Sequence, residues 1–254
     1  MVDYYILIGG FMNKTMSIIL VLILSVAAAC ILFARENTGK KADALYPEDS
    51  KYYPEYVGNT WYFQGYKKNA PDKLLNVKAQ VLYTQKRDNE DYYYIHAPKM
   101  GIRYLNKKRD DGVYMRVIKY PFPLFGFPID VDLVPAMPII KFPFKQGDKW
   151  THTGKARAVI FFIPIEKNIR SDFEVMGRKT IKTPAGDIDT WHVKVIVDEG
   201  DGKPTEENYW YGNGFGYSMA DTTGHYAELV GYRFYDEEKG MWHEKIPKEA
   251  HTYE

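Results

Sequence analysis

One uncharged apolar run, SIILVLILSVAAACILFA at residues 17–34, divides this 254-residue chain between two solvents. Lys14 stands before it and Arg35 after it. A run of this length spans, or nearly spans, a hydrocarbon core of ~30 Å. Nothing later in the chain resembles it. The run therefore exports or anchors the rest, which must fold as one water-soluble body.

The chain has two candidate starts, Met1 and Met12. From Met12 the segment has the layout of a secretory signal, with Lys14 ahead of the apolar core. The length of that core favours a retained transmembrane helix, while Ala27, Ala28 and Ala29 would permit cleavage in mid-run. Ala27-Ala28-Ala29-Cys30 also resembles a bacterial lipobox, in which the cysteine is lipidated. Against this, Ala27 stands where leucine is usual, and Ile31-Leu32-Phe33 stays apolar where such proteins turn polar. Arg35, Lys40 and Lys41 outnumber Lys14 and argue for a cytoplasmic body, but long domains translocate largely regardless of such charges. The expectation is an extracytoplasmic protein, membrane-anchored or secreted. Cys30 is the only cysteine, so the body has no internal disulfide and its core must hold it together.

A net charge of +1 gives no electrostatic case for nucleic acid. Aromatic residues make up 16% of the chain, including 22 Tyr, and these side chains suit pleated, half-buried surfaces. No helical period of ten or more residues follows the apolar run. Residues 35–56, with Gly39, Pro47 and Pro54, read as a flexible tether. Strands are predicted at 61–66, 77–84, 92–96, 102–105 and 113–120, with Val77, Ala79, Val81 and Tyr83 on one face. Asp110-Asp111-Gly112 marks a hairpin. Residues 121–144, PFPLFGFPIDVDLVPAMPIIKFPF, carry six prolines and read as an apolar irregular connection. A second series covers 150–165, 173–183, 188–197, 206–211, 217–220 and 226–235, with turns at Thr183-Pro184-Ala185-Gly186 and Gly212-Asn213-Gly214. The tail 236–254 is charged and shows no clear element. The body is thus a β-rich domain at 57–235, read as two meanders, 57–120 and 145–235.

No catalytic or metal signature stands out. His96, His152, His192, His225, His243 and His251 lack the spacing of a zinc site and have no cysteine partners. Ordinary strand-surface positions account for His152 and His192. Asp130 and Asp132 share one side of an extended segment, but a hard cation needs six or more oxygens. Asp198-Glu199-Gly200-Asp201-Gly202 lacks the spacing of an EF-hand and reads as a polar hairpin loop. No nucleophile elbow, P-loop or dinucleotide fingerprint is present. No cofactor is expected.

Three segments of the C-terminal half carry a resemblance. Residues 182–193 (KTPAGDIDTWHV) resemble a TPAG-x-F hairpin, residues 208–216 (NYWYGNGFG) a YWY-x-x-G-x-G segment, and residues 226–232 (YAELVGY) an ELxxY strand. With the Gly147-Asp148-Lys149-Trp150 opening, this half is similar to the DUF3108-like group of exported bacterial proteins, over about 141–234. Ile188 replaces the usual phenylalanine, and Phe215-Gly216-Tyr217 replaces an aliphatic G-V-G-L. The resemblance implies an antiparallel β fold at the cell envelope and carries over no catalytic residue.

The sequence therefore predicts an all-β protein, an antiparallel curved half-barrel or sandwich behind one N-terminal transmembrane or signal helix. Its expected role is non-enzymatic. Phe122, Leu124, Phe125, Phe127 and Ile129, with Phe161 and Phe162, would line or cover a concave face that binds a lipid or other apolar ligand. Two other readings stand beside it: docking onto another envelope protein through the same residues, and hydrolysis of a glycan or cell-wall substrate.

Overall fold

The computed structural model describes residues 52–100, 102–121, 128–200 and 202–253. The apolar run, Cys30, Phe122, Leu124, Phe125 and Phe127 lie outside the described residues. Among the described residues no helix is long and apolar enough to cross a membrane.

Thirteen strands occur among the described residues. They are β1 Thr60–Lys67, β2 Ala70–Arg87, β3 Glu90–Ala97, β4 Ile102–Arg109, β5 Gly112–Pro121, β6 Pro128–Lys141, β7 Lys149–Ile160, β8 Ile163–Thr183, β9 Gly186–Asp198, β10 Thr205–Gly212, β11 Gly216–Asp221, β12 His225–Asp236 and β13 Met241–Lys245. Each pairs antiparallel with the next, and β1 also pairs with β12, from Thr60 opposite Arg233 to Lys67 opposite His225. That ladder closes twelve strands into a barrel. The antiparallel all-β expectation holds, but a half-barrel or sandwich would leave edges, and closure removes them. β13 extends the wall along residues 232–236 of β12, beyond the stretch that β11 covers.

The two strand series form one continuous sheet because 128–141 is a strand despite its prolines. β6 pairs with β7 only over residues 131–134, so from Pro135 onward it has a single partner. An edge is where a missing N–H is tolerated. Register shifts in the β5–β6 ladder flank Tyr114, the partner of Pro138. Asp110-Asp111-Gly112 does turn the chain, and a Cβ on Gly112 would lie 2.1 Å from the Ile140 carbonyl oxygen.

Alternation sets the faces until a bulge changes them. Val77, Ala79 and Val81 are buried inside the barrel. A register shift between Val81 and Tyr83 then moves Tyr83, expected on the same face, outward, where it stacks on Tyr94 at 4.5 Å. A lumen of twelve strands is wide enough to need filling, and aromatic rings fill it. Trp150 stacks on Phe173 at 4.9 Å, and Trp61 meets Phe234 edge-on at 5.2 Å. Among Met115, Met137, Phe173, Val195 and Tyr209 a space of about 30 Å³ is left, room for roughly one water.

Two segments flanking the strands pack where no packing was expected. Tyr52 and Tyr53, from the stretch read as a tether, are buried against Phe144 and Tyr217. The Tyr53 hydroxyl accepts a hydrogen bond from Asn106 Nδ2 at 2.8 Å. In the charged tail, β13 joins the sheet and the short 3-10 turn Ala250–Tyr253 seats Tyr253 edge-on against Tyr62 at 5.7 Å. Tyrosine explains both cases, since it brings a large apolar ring and one polar handle to an otherwise polar segment.

Candidate functional site

The ends of the barrel differ in chemistry. One is plugged by Tyr52, Tyr53, Phe144 and Phe215, all buried. At the other end the β7–β8 hairpin outreaches its neighbours. β9 pairs with β8 only from Arg170 on, and β6 pairs with β7 only over residues 155–158. Beyond those residues the hairpin is a two-stranded ribbon, paired as far as Ile160 opposite Ile163.

Its tip carries two of the residues singled out from the sequence. The segment 159–165, VIFFIPI, holds no charge. Phe161 and Phe162, predicted to lie inside a strand, are the two residues of a tight turn, with φ of +48° and +67°. The β2–β3 turn has the same geometry at Asp88 and Asn89, with φ of +52° and +64°. Asp and Asn suit such a turn because their short side chains tolerate the left-handed region. A bulky side chain there costs about 1–2 kcal/mol per residue. Burial does not offset that cost, since Phe162 is 98% exposed, Val159 65%, Phe161 57% and Ile163 51%. The usual turn signal of Gly, Asn or Asp is missing, which is why the sequence hid the turn. The surviving clue was a long apolar stretch with charged residues at matching distances on both sides, Arg157 and Glu166.

Beside the tip lies an open groove of about 770 Å³. Ile129, Val159, Pro164 and Ile165 form apolar walls, and Asp132 and Arg157 stand on its polar side. Ile129 is a core residue that borders the groove. Pro121 and Pro128, which flank 122–127, are paired at this same end. The rim charges neutralise one another. Arg157 Nε meets Glu166 at 2.6 Å, and Lys155 also pairs with Glu166. Hydrogen bonds from Lys155 and Arg157 hold the Glu166 carboxyl below its ordinary range. Asp132 accepts from Arg87 at 2.5 Å and Arg116 at 3.0 Å, and Asp130 pairs with Lys119 at 3.2 Å. The Asp130–Asp132 pair thus lies in a lattice of ion pairs on the outer wall.

No local motif marks the polar groups inside the barrel. Glu207 is buried beside the 30 Å³ space, and the Tyr209 hydroxyl donates to it. Burial pushes the Glu207 carboxyl up to about 8, the Tyr209 hydrogen bond opposes this, and nearby Glu199 adds to it. Ser171 Oγ, on the same space, has no hydrogen-bond partner among the described residues. His152, expected on a strand surface, is 4% exposed, and burial lowers its pKa. His192 is half-buried, stacked on Trp210 at 4.5 Å, with Nε2 2.8 Å from Asn208 Oδ1. Among the described residues no group of three or more His, Cys, Asp or Glu side chains could hold a metal ion.

No family model matches this chain, and no curated protein matches it. Solved structures give weak likenesses. A protein of Parabacteroides distasonis described as a lipoprotein is similar with a TM-score of 0.43 and 14% identity, over 71% of this chain and 97% of that one. An exported protein with a YmcC-like fold from Bacteroides fragilis gives 0.43 and 13% over the same shares. The hypothetical lipoprotein YmcC of Escherichia coli gives 0.39 and 9%, over 69% of this chain and 84% of that one.

Proposed function

We propose that this chain is a non-enzymatic protein of the cell envelope that takes an apolar or lipid-like ligand at the hairpin end of its barrel. The supporting observation is the uncharged, exposed tip at 159–165 beside a groove of about 770 Å³, a size usual for ligand sites. The mid-barrel space of about 30 Å³ is too small for such a ligand, so the binding face lies outside the barrel. The left-handed backbone at Phe161 and Phe162 supports the same reading. Strain of this kind clusters at ligand and switch sites, where something other than folding stability maintains it. Kinship with the DUF3108-like group, an extracytoplasmic location, and membrane attachment through residues 17–34 or a lipid on Cys30 belong to this proposal. A second reading, docking onto another envelope protein, is favoured by Phe162, which protrudes almost fully into solvent.

The double substitution Phe161→Asn with Phe162→Gly tests the site. It installs the residues the turn prefers and is expected to stabilise the fold by about 2 kcal/mol, seen as a raised urea midpoint. In native mass spectrometry, wild-type protein recovered from its host envelope without detergent should carry a mass that leaves on denaturation. The variant should carry none. A clean apo mass for the wild type would sink the ligand reading and shift attention to a docking partner.

A further inference from the structure

At the plugged end, the segment that follows Tyr53 crosses the β12–β13 hairpin and leaves a cleft of about 180 Å³, lined by Glu55, Tyr56, Lys108, Tyr235, Glu237 and Glu238 among others. Its walls are fixed. Asn59, fully buried, donates from Nδ2 to the Pro54 carbonyl at 3.3 Å and accepts the Tyr235 N–H at 2.9 Å. Asp236 accepts the N–H groups of Glu238 and Lys239, both at 3.1 Å, which sets the turn carrying Glu237 and Glu238. Glu55 Oε2 accepts the Lys108 N–H at 2.7 Å. Glu55 Oε1 is enclosed and, among the described residues, has no hydrogen-bond partner.

An enclosed carboxyl oxygen without a partner is costly unless something else satisfies it. The charge around it favours a cation, with the carboxylates of Glu237 and Glu238 lining the cleft against the ammonium of Lys108. The nearby Lys107 ammonium is 3.1 Å from Glu90. A bare metal ion does not fit, since no three acidic or histidine side chains converge among the described residues. The aromatic side of the cleft suits an organic cation. Tyr56 and Tyr235 stack at 4.4 Å, Trp242 packs against both, and the Arg233 guanidinium already lies 4.0 Å over the Trp242 ring. Trp242 takes that cation behind the cleft, while Tyr56 and Tyr235 are the rings that line it.

We propose that this cleft binds a small organic ammonium group, with Glu55 as its principal partner. Burial pushes the Glu55 carboxyl up to about 8, opposed by the Lys108 N–H and by the charges of Lys108 and Lys107. Free Glu55 is thus protonated near neutral pH. An incoming ammonium stabilises the carboxylate, and the carboxyl proton leaves to solvent. Tyr56, Tyr93, Tyr235, Lys107, Lys108, Glu237 and Glu238 are the other titratable groups around it.

The test is calorimetric titration of the full chain with ethanolamine and with choline, in two buffers of different ionisation enthalpy. Binding in the range of roughly 1 mM or tighter is expected, with close to one proton released near pH 7 and almost none near pH 9. Glu55→Gln should weaken binding at least about tenfold and abolish the buffer dependence. Glu237→Gln should weaken binding while leaving the proton release in place. Competition by phosphatidylethanolamine vesicles would identify a lipid headgroup as the source, and no competition a free amine. Absence of binding by either probe overturns the proposal, as does unchanged affinity in Glu55→Gln.

Discussion

Replacing Trp61 by alanine is expected to cost about 3–5 kcal/mol, the usual range for a buried aromatic. Trp61 is 3% exposed and ties four segments together. Its ring meets Phe234 of β12 at 5.2 Å and Tyr53 of the plug at 6.4 Å. Its Nε1 donates to the Phe215 carbonyl in the β10–β11 connection at 2.7 Å. Removing it opens a cavity on the ladder that closes the barrel and leaves a buried carbonyl unpaired, which adds to the loss. Trp61→Phe keeps most of the packing and loses only the hydrogen bond, so about 1–2 kcal/mol is expected. Urea unfolding followed by far-ultraviolet circular dichroism measures both. Equal losses in the two variants would show that the ring's packing contributes little.

The fold is expected to lose stability as pH rises from 6.5 to 8, and Glu207→Gln is expected to remove much of that loss. The folded carboxyl holds its proton up to about pH 8, against an ordinary value of 4.5. Between these values the unfolded chain has already released the proton, so rising pH favours unfolding. His225 acts in the opposite sense. Burial lowers it from 6.5 to about 4, so stability is lost as pH falls through 6.5 toward 4, where the unfolded imidazole takes up a proton that the folded one does not. Burial lowers His152 and His192 too, with the same sense. Burial lowers His96 as well, and near pH 6.5 the half-protonated imidazoles of the unfolded chain still offset part of the carboxyl effect. Glu207 contributes about 2 kcal/mol of loss between pH 6.5 and 8, and Glu55, also raised to about 8, adds in the same sense. Glutamine can still accept from the Tyr209 hydroxyl. Urea midpoints of wild type and Glu207→Gln at pH 6.5 and 8 decide the matter, and an equal change in the two proteins would rule out a buried, protonated Glu207.

Strand content was legible because a two-residue period and Gly-containing turns are local signals. Alternation puts Val77, Ala79 and Val81 on one face without reference to any partner strand, and that face is buried. Proline misled at β6, since its penalty depends on whether a second ladder is present, and β7 pairing ends at Val134. Faces failed where bulges intervene, as at Tyr83, because one extra residue reverses every side chain after it. The functional positions divide in the same way. That Phe161 and Phe162 were apolar and uncharged-flanked could be read directly, but their exposure follows from a hairpin that outgrows its neighbours, a fact of register. No local pattern distinguishes Glu55 and Glu207 from other acids, and only enclosure by segments distant in the chain shifts their proton equilibria. Local pattern by itself determined an all-β body behind one apolar run, because periodicity and length act within a few residues. Closure of β1 on β12, the filled lumen, the strained aromatic tip and the acidic cleft were decided by tertiary structure, since each arises from contacts between residues far apart in sequence.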